Sequence, residues 1–200
     1  MVSIIYTNLA AAVVFIFASL IWLVPEILGM APQMSKVARK TASVQDRSSL
    51  GILIGLQWVG LILNFSLGWW LPAEALTWHR TDLFLLGVIF IPLGVTLRWY
   101  AIRVLGGYFT RDVAVSADQE LVQSGPYRLI RHPAYSGTFL TMLGVGLAMT
   151  NWASLACLLI CVFSGHIYRV KVEEKALTRA IGQPYIAYMQ RTRRFIPWVF

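Results

Sequence analysis

The chain has 200 residues, 58% of them hydrophobic and only 13% charged, with a mean hydropathy of +0.65. Soluble domains carry roughly a quarter charged residues, so an ordinary water-soluble fold is excluded. The net charge of +8 is divided among separate loops rather than gathered on one face, which fits a surface of anionic lipid and argues against nucleic acid.

Long apolar runs set the architecture. Residues 4–28, 50–71 and 83–105 each reach the roughly 20 residues that cross a ~30 Å hydrocarbon core. The next run, residues 134–168, holds 35 residues. As one helix it would be about 52 Å long at ~1.5 Å per residue, well over the core thickness. The polar break "TNWAS" at residues 150–154 divides it, and the pattern predicts a tight hairpin of two short spans, 134–149 and 152–168. The expected fold is an all-α integral membrane protein with five transmembrane helices, the last two a hairpin.

Basic residues alternate from side to side. Taken in order from before the first span, the loops carry 0, 4, 1, 4, 0 and 7 Lys or Arg, with Arg98 left inside the third span. Positive charge concentrates on cytoplasmic loops, which places the N-terminus outside and the C-terminus in the cytoplasm. The first run lacks the basic n-region and short h-region of a cleaved signal peptide and is expected to be retained. The chain reads as a single membrane domain: residues 1–105 form a three-helix scaffold, and 106–200 carry nearly all the cytoplasmic polar chemistry. Cys157 and Cys161, at i and i+4 inside a span, read as small packing residues. The pattern contains no metal-ligand cluster. His79 and His166 read as structural or interfacial.

Two polar segments stand out from this background. The first is "GPYRLIRHPAYSG" at residues 125–137. Gly125-Pro126 signals a turn. Pro133 holds His132 extended and can start the following helix, so His132 sits at the membrane interface with Tyr135 one turn on. An interfacial belt of snorkelling arginines and tyrosines would also account for these residues. The second segment continues the fifth span. Residues 168–180 remain helix-compatible until Gly182 and Pro184 end the helix, and project it about 18 Å into the cytoplasm at ~1.5 Å per residue. Arg169 and Glu173 lie at i and i+4 on one face, as a surface ion pair or as an anion-binding site; Glu174 falls on another face. Arg98 is a functional candidate as an intramembrane charge, or a snorkelling residue.

In their order, "LGGYFTRDV", "ELVQSGPYRLIRHPAYSG", "LGVGLAMTNW", "RVKVEEKAL" and "IGQPYIAYMQRTRRFIP" resemble the isoprenylcysteine carboxyl methyltransferase family, which is related to the phospholipid N-methyltransferases. The resemblance covers residues 93–197, and "QDRSS" at 45–49 is similar to prokaryotic members. It implies S-adenosylmethionine as methyl donor, held in a cytoplasmic cap. Cofactor contacts would fall on Gln119, Glu120, Leu121, Val122, Tyr127, His132, Pro133, Ala134, Tyr135 and Glu173. Asp112 lies where a further contact is expected, but it differs in type, as do Gln119 and Glu120. Arg169 matches a residue that meets the substrate near its reacting carboxylate, so Arg169 and Glu173 are the candidate catalytic pair. The resemblance does not assign Glu174 or Arg194.

The implied acceptor is a membrane-borne, prenylated or lipid-like small molecule. A carboxylate, a phospholipid amine or another small hydrophobic acid or amine would each fit. An NADPH-dependent sterol-type reductase shares a similar "GPY…RHP-x-Y" region but tends to continue "HPNY-x-GE", where this chain has Ala134 and Thr138. A non-catalytic membrane subunit is the remaining alternative.

Overall fold

The computed structural model describes residues 3–27, 43–46, 48–76, 78–109, 113–115 and 121–196. Seven α-helices are present among them: α1 (Ile4–Thr7), α2 (Leu9–Ile27), α3 (Ser48–Trp70), α4 (Arg80–Leu105), α5 (Pro133–Ala148), α6 (Trp152–Ile181) and α7 (Gln183–Arg191). A small antiparallel ribbon joins β1 (Ser43–Asp46) to β2 (Val113–Val115). It ties the segment ahead of α3 to the segment that follows α4, an addition to the all-α expectation.

The first apolar run is not one helix. Asn8 leaves helical geometry, and its Oδ1 accepts from the Ala11 backbone N–H at 3.1 Å, so it closes α1 and caps α2. Among the described residues, four helices are long and apolar enough to cross a membrane: α2, α3, α4 with the turn after it, and α6. The predicted fourth span, α5, is 16 residues, about 24 Å at ~1.5 Å per residue and shorter than the four others. Large apolar side chains such as Phe17, Ile62, Ile89 and Ile160 point outward, as a lipid-facing belt requires. The chain is a multi-pass integral membrane protein.

The hairpin of α5 and α6 forms at the expected break. Thr150 turns the backbone with φ 49°, and Asn151 caps α6 by accepting from the Ser154 N–H at 3.0 Å. The Asn151 amide also donates to the Leu71 carbonyl at 2.9 Å, fastening the turn to the end of α3. At 30 residues, α6 outruns the bilayer. Its apolar part, residues 152–168, is followed by 169–181, which carry six charged residues. Gly182, at φ 71°, ends the helix, and Pro184 opens α7.

In α5, small residues replace large ones because its backbone lies against α4. A Cβ at Gly94 would stand 2.5 Å from the Gly137 carbonyl oxygen, and a Cβ at Gly137 would stand 2.6 Å from the Gly94 carbonyl oxygen. Gly87 and Gly144 repeat the contact one heptad along, also at 2.6 Å. Ile91, Met142 and Val145 fill the buried space beside these contacts. Gly94→Val is therefore expected to push two backbones apart and destabilise the fold by about 3 kcal/mol, the upper end for overpacking. Its loss of monodisperse protein in detergent, against an unchanged Gly51→Ala control, checks this; a Cβ at Gly51 meets nothing within 4 Å.

Candidate active site

The polar stretch ahead of α5 folds as a short 3-10 turn, Gly125–Arg128, which Gly125 enters at φ 55°. The last described residues run beside it. The Arg131 N–H donates to the Arg193 carbonyl at 2.7 Å, His132 N–H to the Arg194 carbonyl at 3.0 Å, and Arg193 N–H to the Leu129 carbonyl at 3.1 Å. This parallel pairing lays residues 193–195 across the mouth of α5 and buries Phe195 against Phe139 and Phe163.

Residues 169–181 of α6 bring two acids to the same place. The His132 ring lies between them, Nδ1 at 3.8 Å from Glu173 Oε2 and Nε2 at 3.4 Å from Glu174 Oε1. Glu174 takes another face of α6, as helical spacing suggests, but that face is also enclosed. Glu174 is buried, and it accepts from Arg131 Nε at 3.0 Å and Arg194 Nη2 at 2.8 Å. The reason is tertiary: residues 129–132 and 192–195 wrap around α6 far enough to meet two faces of the helix. Burial alone would raise the Glu174 carboxyl, but hydrogen bonds from His132, Arg194 and Arg131 prevail and hold it at about 2, below the usual carboxylate range. Arg131 also donates to the carbonyls of Met189 and Thr192, so one guanidinium joins the turn, α6 and the end of α7.

Glu173 is different. Its side chain keeps 30% of its surface open. Its Oε2 accepts from the Tyr135 hydroxyl at 3.0 Å. That same hydroxyl lies 3.5 Å from Arg169 Nε, so it stands between the i and i+4 partners of α6. The rings of His132 and Tyr135 stack with centroids 5.6 Å apart. Around them, Tyr188 donates to the Tyr127 carbonyl at 2.7 Å. Burial, reinforced by the Glu173 charge, holds the Tyr127 and Tyr185 phenols above their ordinary range, and burial lifts Tyr188 to about 12. All three stay protonated near neutral pH.

Arg169 is 3% exposed, and its Nη1 donates to Ser49 Oγ at 2.7 Å. Ser49, on the first turn of α3, went unnoticed by spacing arguments because it lies 120 residues away in the chain. The local signal was the "QDRSS" motif. Asp46 accepts from the Ser48 N–H at 2.9 Å and the Ser49 N–H at 3.0 Å, capping α3 and aiming Ser49 inward. Arg169, Tyr135, Arg98 and Thr138 line a cavity of about 290 Å³ together with Trp22 and Leu53. His166 lines it too, with its Nδ1 against the Val162 carbonyl at 2.8 Å.

Of the other sequence-derived contacts, Pro133 is buried and Ala134 half-buried beside His132. Leu121 and Val122 are half-buried, and the next residue, Gln123, is joined to Arg191 of α7 at 3.1 Å. Gln119, Glu120 and Asp112 lie outside the described residues.

Comparison with known proteins bears on this arrangement. Residues 86–179, which include α5 and nearly all of α6, match the isoprenylcysteine carboxyl methyltransferase (ICMT) family. The match takes in just under half of the chain, which over that region is similar to this family. Protein-S-isoprenylcysteine O-methyltransferase B of Arabidopsis thaliana is 28% identical over 168 residues, covering 82% of this chain and 81% of its own. The Saccharomyces cerevisiae protein-S-isoprenylcysteine O-methyltransferase is 31% identical over 116 residues, 57% of this chain and 48% of its own. A solved structure of the eukaryotic intramembrane Ras methyltransferase ICMT superposes with a TM-score of 0.55 at 28% identity. The match covers 74% of this chain and 52% of that one, so the chain spans about half the length of the yeast protein and of the solved enzyme.

Proposed function

We propose that the chain is an S-adenosylmethionine-dependent methyltransferase that esterifies the carboxylate of a membrane-borne, isoprenylcysteine-like lipid. One observation carries the reading: the Tyr135 hydroxyl joins Glu173 of the polar cap to Arg169 of the apolar cavity. A donor site and an acceptor site thereby share one side chain.

The donor set fits the cofactor. A partly open carboxylate at Glu173 suits an ammonium or sulfonium, and the stacked His132 and Tyr135 rings offer a face to a nucleoside. Glu174 is already engaged with Arg131 and Arg194, which leaves Glu173 as the acid for a ligand. We assign Tyr127, Leu121, Val122, Pro133 and Ala134 to the walls of the same site. S-Adenosylmethionine, when bound, supplies an electrophilic methyl group on a positively charged sulfur.

The chain's own residues do the rest by placement. Arg169 presents a planar fork to the acceptor carboxylate, and Ser49 fixes the direction of that fork. No base is needed, because the acceptor carboxylate is already ionised near neutral pH. Holding two reactants in register removes the orientational part of the barrier. The burial of Arg169 and the largely apolar lining strengthen its attraction for an anion. A cation at this position favours an acid over an amine acceptor.

The arrangement also supports the membrane reading. We take α5 as a short fifth membrane segment shielded by α4 and α6, the N-terminus as outside, and residues 169–196 as a cytoplasmic cap. Residues 1–105 supply more than a scaffold in this account, since Ser49 and Arg98 face the acceptor.

Purified protein should bind S-adenosylmethionine in calorimetry and transfer a labelled methyl to an S-prenylcysteine acid, read by mass spectrometry. Binding of NADPH in its place, or methylation of phospholipid amines alone, would overturn the assignment. Tyr135→Phe is expected to slow transfer about tenfold, the loss of one hydrogen bond to a charged group, and to change cofactor affinity less than about threefold.

A further inference from the structure

The cavity holds a second guanidinium that the proposed transfer does not use. Arg98, on α4, places Nη2 at 3.4 Å from both carboxylate oxygens of Glu26 on α2, and Nη1 at 3.2 Å from Thr138 Oγ1 on α5. All three residues line the same cavity as Arg169. A snorkelling arginine would run its head out to water. Arg98 instead is turned inward, its side chain 18% exposed.

The pair has the features of an exchangeable contact. Charge-assisted N–H···O bonds settle at ~2.7–2.9 Å, and these are well outside that range. The Glu26 side chain is 41% exposed and stands one residue from the end of α2, so its withdrawal from Arg98 strands less charge than the loss of a buried partner would. Thr138 holds the guanidinium in place from the opposite side. With Glu26 engaged, Arg98 is neutralised; with Glu26 withdrawn, the Arg98 guanidinium is open to another anion in the cavity.

We propose that Glu26 and Arg98 form a charge latch, in which the carboxylate of the arriving acceptor displaces Glu26 from Arg98 before it reaches Arg169. This rests on the carboxylate-acceptor reading above. The latch distinguishes substrate from product by charge alone. The acid competes with Glu26 for Arg98; the methyl ester carries no charge, so Glu26 re-pairs and the product leaves. Arg98 is an acceptor-binding residue in this account, and Glu26 its intramolecular competitor.

Trp22 and Trp58 line the cavity and report its occupancy by fluorescence. The probes are an N-acetylated S-prenylcysteine acid and its methyl ester, titrated into the full chain in micelles. The wild type is expected to bind the acid about tenfold more tightly than the ester, Arg98→Gln to cut that preference severalfold with the rest kept by Arg169, and Glu26→Gln to tighten the acid severalfold while leaving the ester unchanged.

The paired exchange Glu26→Arg with Arg98→Glu separates a latch from a structural ion pair. It restores the salt bridge and hence stability, yet must leave the preference for the acid as low as it is in Arg98→Gln. Wild-type preference in Arg98→Gln or in the exchanged protein overturns the latch while the methyltransferase reading stands. Failure of the wild type to bind either probe while it binds cofactor overturns both the latch and the choice of acceptor.

Discussion

Replacing Arg169 by alanine is expected to lower kcat/KM for a prenylated acid roughly a hundredfold, while S-adenosylmethionine still binds. Removing one partner of a desolvated, hydrogen-bonded charge contact costs about 3 kcal/mol, and each 1.36 kcal/mol is a factor of ten. The side chain is 3% exposed, so little water is present to replace it. Arg169→Lys keeps the charge but not the planar fork and should recover only part of the rate. Ser49→Ala should fall between wild type and lysine, because the guanidinium remains but loses its 2.7 Å anchor. Labelled-methyl assays with parallel calorimetry check the series. Loss of cofactor binding in Arg169→Ala, with transfer unaffected in the fraction that binds, would place Arg169 in the donor site instead.

Glu174→Leu is expected to be the most damaging single change to stability, about 3–5 kcal/mol. It leaves Arg131, whose side chain is 9% exposed, without the carboxylate that neutralises it. The pairing of residues 193–195 with 129–132 should loosen with it, because Arg194 is held by the same acid. Acid titration gives an independent reading. The folded-state carboxyl lies near 2, below its ordinary value of 4.5. A lowered pKa means the contribution is complete above about 4.5 and is lost as pH falls toward 2. Thermal unfolding in micelles should therefore show an acid-dependent loss below that point which Glu174→Gln diminishes. An unchanged acid limb in Glu174→Gln would assign the loss to other groups.

Much of this was readable in one dimension, and the exceptions share a cause. Hydropathy and the "TNWAS" break located the apolar segments and the α5–α6 hairpin, because lipid imposes length and polarity locally. Gly182 and Pro184 marked the end of α6 for an equally local reason. Asn8 was passed over because one polar residue hardly alters a long hydropathy average, although it ends one helix and caps another. Glu174 was given its own helix face, but the enclosure of that face was missed because a helical wheel describes one helix, whereas its surroundings come from segments some 20 and 43 residues away. Ser49 is the extreme case, with its partner 120 residues on. The resemblance pointed to His132, Tyr135, Arg169 and Glu173; it was silent on how Glu26, Arg98 and Ser49 surround them.

The crossing of residues 193–195 over the α5 mouth has a consequence for biogenesis. Arg131 meets Thr192 across 61 residues of chain, and Ser136 meets Phe195 across 59. The ribosome must therefore release almost the whole described polypeptide before this pocket can close. Chains arrested while residues 190–195 are still in the exit tunnel should be inserted in the membrane yet unable to retain donor, which would keep an unfinished enzyme from sequestering it.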